Sequence, residues 1–363
     1  MDSDLRVGIN ARTLSVEEPG GAVQIGYHVI RELSSRPSIE IIIFGHSNLQ
    51  SEFDPPVVST GFPVNSQVYG FFWERMVLPL LASKWEIDVL YCPNTNAPLT
   101  GSRFDNVITY HDVNALDGYA NPKYRVLRKL SVPPSLNVAD KVITVSEFSK
   151  SRILEHHDID PNDIKVIYNG IDSIYLDDSP GQYVDVPDDY ILFTGSLNPR
   201  KNIQGVIDGF RQFNEENKSK YNLVFIGPGN KNIFGSVDID ENENIYHLGF
   251  LSKDELKSVY RNALVFLFPS FYEGFGLPPL EAMACGTPVI ASNVTALPEV
   301  LGNSAELVTP HEPDEISASL TKIISNECYR EMLIERGLQQ ANQYTWDRSV
   351  SEIVELLEDV GGK

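Results

Sequence analysis

Residues 268–300 read FPSFYEGFGLPPLEAMACGTPVIASNVTALPEV, and this stretch predicts strand, loop, helix, turn and strand again. An apolar, β-rich run from Ala263 to Phe268 ends in Pro269-Ser270. A glycine-bearing turn, Glu273-Gly274-Phe275-Gly276, leads through Leu277 into Pro278-Pro279 and the helix formers Leu280 to Ala284. Proline is tolerated in a first helical turn because no intrahelical N–H bond is needed there, and Gly286 with Pro288 stops the helix. The loop therefore offers backbone N–H groups at a positive helix end, with glycines that allow close approach, which suits a phosphate. Glu273 and Glu281 flank that cradle. Carboxylates would repel the phosphate itself, so they are expected to accept hydrogen bonds from neutral hydroxyls on either side of it. Ribose, diphosphate and hexose present that pattern in a nucleotide-sugar. From spacing alone, a helix-surface charge and a loop charge are the competing reading.

Glu273 and Glu281, with seven residues between them and set in EGFGLPPLEAMACGTPVIAS, resemble the E-x7-E signature of the retaining glycosyltransferases of family 4. The resemblance implies an α/β chain of the GT-B fold: two doubly wound Rossmann-like domains with an interdomain cleft and a C-terminal helix returning to the first domain. It implies transfer of a hexose, of mannose or glucose type, from a GDP or UDP sugar to a glycan or lipid-linked hydroxyl acceptor, with retention. The donor would be a substrate, and no other cofactor is implied. Gly274, Phe275, Gly276 and Leu277 would carry the phosphate cradle, Glu281 would hold the ribose and Glu273 a sugar hydroxyl.

At 363 residues the chain suits two domains, and 42% hydrophobic with 22% charged residues is a globular composition. No run approaches the ~20 apolar residues of a membrane span, and MDSDLRVGIN has no secretory signal pattern, so a cytoplasmic protein is expected. Cys92, Cys285 and Cys328 form neither a disulfide framework nor a metal pair. A net charge of -21 argues against a nucleic-acid partner. The six Asp and no Lys or Arg between Asp172 and Asp189 fit either a surface hydrated in high salt or an ordinary acidic bacterial protein.

Leu5 to Ile9, Ile39 to Phe44, Val89 to Cys92, Val107 to Tyr110, Val142 to Val145 and Ile164 to Tyr168 read as strands with helical segments between most of them. Such alternation implies a parallel sheet whose ligands sit beyond the carboxyl ends of its strands. A second series runs through Tyr190 to Thr194, Leu223 to Ile226, Ile245 to Leu248, Ala263 to Phe268 and Val289 to Ala291. The polar stretch Leu176 to Asp189 is the expected linker. The expected domains are 1–178 for the acceptor, 188–344 for the nucleotide-sugar, and a helix at 345–363 on the first domain. Ser146 and the Ser252–Glu255 capping box are expected to open helices.

Further segments resemble the family. Gly20-Gly21 stands where its glycine loop nears the donor diphosphate, and His111-Asp112 matches a motif whose histidine faces the transferred sugar. Gly227 looks like its donor-site glycine turn, and the segment His247 to Leu251 like the one meeting the base. Where the family commonly carries arginine after a glycine, this chain has Ser196; Lys201 keeps the lysine position and Arg200 is the candidate replacement. Two cations facing a diphosphate neutralise charge building on a leaving group, so no metal is expected, and Asp238-Ile239-Asp240 reads as an acidic loop. The catalytic candidates are thus His111, Arg200, Lys201 and Glu273; the binding candidates are Gly20, Gly21, Gly227, Leu251, Gly274, Phe275, Gly276, Leu277 and Glu281. No side chain is an obvious nucleophile, and the resemblance implies a front-face displacement. A nucleotide-sugar epimerase and a non-catalytic sugar-nucleotide-binding protein are the alternatives.

Phe71-Phe72-Trp73 and Met76 to Leu81 form an apolar stretch, and Lys123, Arg125, Arg128 and Lys129 gather four cations in an acidic chain. These read either as a core helix and a solvated face, or as a peripheral contact with the inner face of the plasma membrane or a lipid-phosphate acceptor.

Overall fold

The structure, a computed structural model, describes residues 5–15, 21–61, 67–98, 103–196, 198–218, 221–227 and 244–362. The chain divides into two compact units: Met1–Gly170 with Trp346–Lys363, and Ile171–Thr345.

Unit 1 holds β1 (Leu5–Asn10), β2 (Ile39–Phe44), β3 (Val57–Val58), β4 (Val89–Cys92), β5 (Asp105–Thr109), β6 (Lys141–Thr144) and β7 (Ile164–Val166). They pair in the order β3-β2-β1-β4-β5-β6-β7, every neighbour parallel. β4, VLYC, is buried at all four positions, as a parallel strand covered on both faces must be. The helices are α1 (Gly21–Ser34), α2 (Gln67–Phe72), α3 (Leu78–Lys84), α4 (Pro122–Leu136) and α5 (Glu147–His156), with a π-helical turn, Trp73–Val77, joining α2 to α3. Ser146 caps α5 by accepting from the Ser149 N–H.

Unit 2 holds β8 (Tyr190–Thr194), β9 (Asn222–Ile226), β10 (Ile245–His247), β11 (Val265–Phe268), β12 (Val289–Ser292) and β13 (Glu306–Val308), in the parallel order β10-β9-β8-β11-β12-β13. Its helices are α6 (Ser173–Leu176), α7 (Ile203–Asn217), α8 (Lys253–Asn262), α9 (Leu277–Ala284), α10 (Leu297–Leu301), α11 (Pro313–Ser325) and α12 (Glu327–Ala341). The Ser252–Glu255 capping box opens α8. Residues 268–300 thus run from β11 through α9 and β12 into α10.

The last helix, α13 (Trp346–Val360), belongs to unit 1. It buries Val350, Ile353 and Leu357, stacks Trp346 on His28 of α1 at 5.0 Å, and pairs Asp347 with Arg36 at 2.7 Å.

Two features differ from expectation. β3 and β13 are only two and three residues long, too short to show a period. The polar stretch 176–189 lies within unit 2, whose boundary falls at Gly170/Ile171. Lys257 of α8 explains this: it is fully buried, and a buried charge needs partners, which Asp177 and Ser179 supply. Gln182 N–H also donates to the Asp254 carbonyl at 3.1 Å.

Candidate functional site

In unit 2 the candidates gather where β10, β9, β8 and β11 end, side by side in a parallel sheet. A glycine in the left-handed region follows each of the first three: Gly249 (φ 73°), Gly227 (φ 141°) and Gly195 (φ 138°). They are stitched together, with Gly195 N–H donating to the Ile226 carbonyl at 2.9 Å and Gly227 N–H to the Gly249 carbonyl at 2.8 Å. A Cβ on Gly227 would lie 2.2 Å from the Gly195 oxygen, so only glycine fits. His247 Nε2 donates to the Gly227 carbonyl at 3.0 Å. Leu251 is half-buried in the turn before α8.

After β8 comes a short turn, Pro199–Lys201, capped by Asn198. It is tied to the segment after β11, since Phe271 N–H donates to the Arg200 carbonyl at 2.8 Å and Asn202 Nδ2 to the Pro269 carbonyl at 3.0 Å. This brings Lys201 Nζ to 2.7 Å and Arg200 Nη1 to 2.9 Å from Glu273 Oε1. Arg200 also donates to the Tyr272 carbonyl at 2.8 Å, and Lys201 lies 4.4 Å from the Phe268 ring centroid. Lys201 and Glu273 are only 6% and 7% exposed, so their charges face each other with little solvent between. Burial alone would raise the Glu273 carboxyl, but the charges of Lys201 and then Arg200 hold it below its ordinary value. Glu273 N–H donates to Thr295 Oγ1 at 3.2 Å, and Thr295 sits at φ 63°, a strained setting for a β-branched residue.

The cradle is α9 and the turn before it. Gly276, at φ 116°, is its N-cap, Pro278 and Pro279 lie in the first turn, and no side chain among the described residues caps the end. The helix begins at Leu277, with both prolines in its first turn, where the sequence reading puts them. A Cβ on Gly276 would come 2.5 Å from Leu297 Cδ2 of α10. Gly274 and Phe275 precede it, with Phe275 edge-on to Tyr344 at 5.6 Å. One turn into α9, Glu281 Oε2 accepts from the Tyr260 hydroxyl at 3.1 Å. Burial pushes the Glu281 carboxyl up to about 7, against the opposing effect of that hydrogen bond.

Unit 1 has its own concavity, a cavity of about 570 Å³ beyond the ends of β1, β4 and β5. Arg12, Asn94, His111, Tyr124 and Arg128 line it. His111 Nε2 lies 2.9 Å from the Pro93 carbonyl, which can only accept, so the proton is on Nε2. Nδ1 is then a bare acceptor, buried and without a partner among the described residues. Burial and the nearby Arg128 hold the ring's pKa down to about 4, so it is neutral at pH 7. Arg12 is held by Glu74, on the π turn, at 2.9 Å, and Asn10 Nδ2 donates to Glu74 at 3.1 Å.

The structure therefore brings Arg200, Lys201 and Glu273 together in unit 2, near the cradle, and leaves His111 in unit 1. Gly21 is the first residue of α1, whereas Gly20, Pro228-Gly229 and Asp238-Ile239-Asp240 lie outside the described residues. Sequence reading missed Tyr260, Thr295, Arg12, Asn94 and Tyr124, and it grouped Arg128 with the cations of a solvated face or lipid contact rather than on the wall of a cavity. Tyr124 and Arg128 at helical i,i+4 spacing, and Asn94 just past β4, were the available signals.

Residues 177–340 match the family model described as "Glycosyl transferases group 1", and residues 19–173 the one described as "Glycosyltransferase Family 4". The chain is 33% identical over 262 residues to O-antigen chain mannosyltransferase B of Escherichia coli, spanning 68% of each. It is 30% identical over 223 residues to serotype-specific mannosyltransferase WbdA of the same species, covering 57% of this chain but only 27% of that longer protein. In fold it is similar to Anabaena HepE in complex with UDP-glucose, with a TM-score of 0.76 at 18% identity over 98% of this chain and 100% of that one. Two parallel Rossmann-like sheets with this likeness make the fold GT-B.

Proposed function

The chain belongs to the glycosyltransferases, with a family 4 domain followed by a group 1 domain, and from that premise we propose that it transfers a hexose from a nucleoside-diphosphate sugar to a glycan or lipid-linked hydroxyl, with retention of configuration. The observation that supports this best is the buried meeting of Lys201 and Arg200 with Glu273 at the sheet edge, beside the uncapped end of α9. Two of its relatives are mannosyltransferases and one solved neighbour holds UDP-glucose, which supports a mannose- or glucose-type donor.

In this reading the glycine turns and the α9 end cradle the diphosphate, whose negative charge suits a positive helix end. Glu281 accepts from the ribose hydroxyls. Lys201 and Arg200 stabilise the charge that grows on the departing diphosphate, an effect stronger in a water-poor setting. Glu273 orients both cations and shares them with the donor. In unit 1, His111 offers its bare Nδ1 as an acceptor suited to a sugar hydroxyl. With no obvious nucleophile among the described residues to form a glycosyl-enzyme, the bond from the anomeric carbon to the phosphate oxygen breaks, and that oxygen takes the acceptor proton as the acceptor oxygen bonds to the same carbon on the same face.

Two cations at the leaving group remove the need for a divalent metal, so turnover is expected to survive EDTA; loss of activity restored by Mg or Mn would overturn that part. The defining experiment incubates the protein with GDP-mannose or UDP-glucose and a glycan acceptor, and reads the anomeric signal of the product by NMR. An α-linked product from an α-linked donor supports the reading. An inverted product refutes retention, and an epimerised sugar nucleotide without acceptor points to the epimerase instead.

A further inference from the structure

α4 is an unusual surface helix. From Asn121 to Leu130 every residue except Arg128 is exposed, yet the segment alternates cations with Tyr124, Val126, Leu127 and Leu130, and α4 holds no acidic residue. Only its later turns, at Ser131, Val132, Ser135 and Leu136, are buried. The neighbouring α2–π–α3 segment is likewise anchored by its buried Trp73, Leu78 and Ala82 while Met76 (51%) and Leu80 (71%) stand in solvent. Arg75 joins the two segments, donating to the Ser131 carbonyl at 2.9 Å and Ser135 Oγ at 3.1 Å. Of the fifteen exposed large hydrophobics among the described residues, ten lie between Tyr69 and Leu80 or between Tyr119 and Leu130. Apolar exposure so concentrated on two segments that Arg75 ties together marks an interaction site rather than scattered exposure. Its cations, in a chain of net charge -21, select an anionic partner.

We propose that this face rests on the surface of an anionic lipid bilayer, with the apolar side chains of α3 and α4 entering the headgroup region and Lys123, Arg125 and Lys129 meeting lipid phosphates. No helix among the described residues is long and apolar enough to cross a membrane, so the contact is peripheral. The cavity opens beside the same helices, since Phe71, Tyr124 and Leu127 line it. Resting on the glycosyl-transfer reading, this makes the acceptor one presented from a lipid surface.

Cosedimentation with phosphatidylglycerol-containing and pure phosphatidylcholine vesicles tests it. Wild type is expected to pellet with the anionic vesicles only, and less as salt rises. Met76→Ser/Leu80→Ser/Leu130→Ser and Lys123→Ser/Arg125→Ser/Lys129→Ser both lower partitioning, the charge variant on the order of 100-fold at about fivefold per cation. Wild type staying in solution, the charge variant pelleting equally well, or a wild-type dimer that the apolar variant dissolves would each overturn the proposal. The thermal shift given by the sugar nucleotide is measured on all three proteins. A retained shift shows folded protein, so that failure with vesicles sinks this inference alone, whereas no shift in wild type sinks the glycosyl-transfer reading.

Discussion

Lys201 is held between Glu273 and the Phe268 ring before any donor arrives, so its orientation costs nothing at the moment of reaction. In Lys201→Ala we expect kcat to fall on the order of 100-fold with KM changed far less, because charge on the leaving diphosphate grows only in the transition state. Steady-state kinetics near those of wild type would remove Lys201 from this role. Glu281 carries a second, opposite kind of information. Its carboxyl is raised from 4.5 to about 7 in the folded chain, so the folded state binds the extra proton. The stabilising effect is whole below about pH 4.5 and is lost as pH rises through about 7, a change on the order of 3 kcal/mol. Glu281→Gln should flatten that pH dependence in urea unfolding curves and leave the variant more stable than wild type at pH 8, while weakening nucleotide binding. Equal slopes for the two proteins across this range would refute the assignment.

The glycine turns act as a set at the level of elements. A Cβ at Gly227 would meet the Gly195 oxygen at 2.2 Å, so Gly227→Ala must push the β8 and β9 turns apart, displacing the Lys201 turn that follows β8. We expect at least a tenfold loss of kcat/KM with about 1–3 kcal/mol of destabilisation, read by kinetics and chemical denaturation. Full activity would show that these turns do not position the site. The strand–turn–helix grammar was legible because apolar runs, glycines and prolines act locally, which is why β8, β2 and β4 fall where their residues predict. The Glu281–Tyr260 bond and the strained Thr295 beneath Glu273 were not legible, since they arise from packing between residues distant in sequence. The exposure of Leu80 and Leu130 was equally hidden: apolar residues in a helix look alike in sequence whether a core covers them or nothing does.

For the molecule as a whole, unit 2 enters and leaves at one point. Ile171 N–H donates to the Tyr344 carbonyl at 3.0 Å and Ile171 bridges Thr345, so residues 171–345 form a closed module inserted into unit 1. A protein cut to 171–345 is expected to fold and to give a thermal shift with the sugar nucleotide; an unfolded fragment would show that the module is not self-sufficient. Synthesis imposes an order on this arrangement. The seven-stranded sheet is made first, yet α13, which buries Val350, Ile353 and Leu357 in unit 1, leaves the ribosome only after the whole inserted module. At the usual pace of translation that delay is on the order of ten seconds or more. During it the apolar bed of α13, including the Ile25 and Val29 side of α1, lies open to water. A protein truncated after residue 345, lacking α13, should therefore show a protease-resistant second half and a sensitive first half, and the nascent protein should need a chaperone on the domain made first rather than on the inserted module.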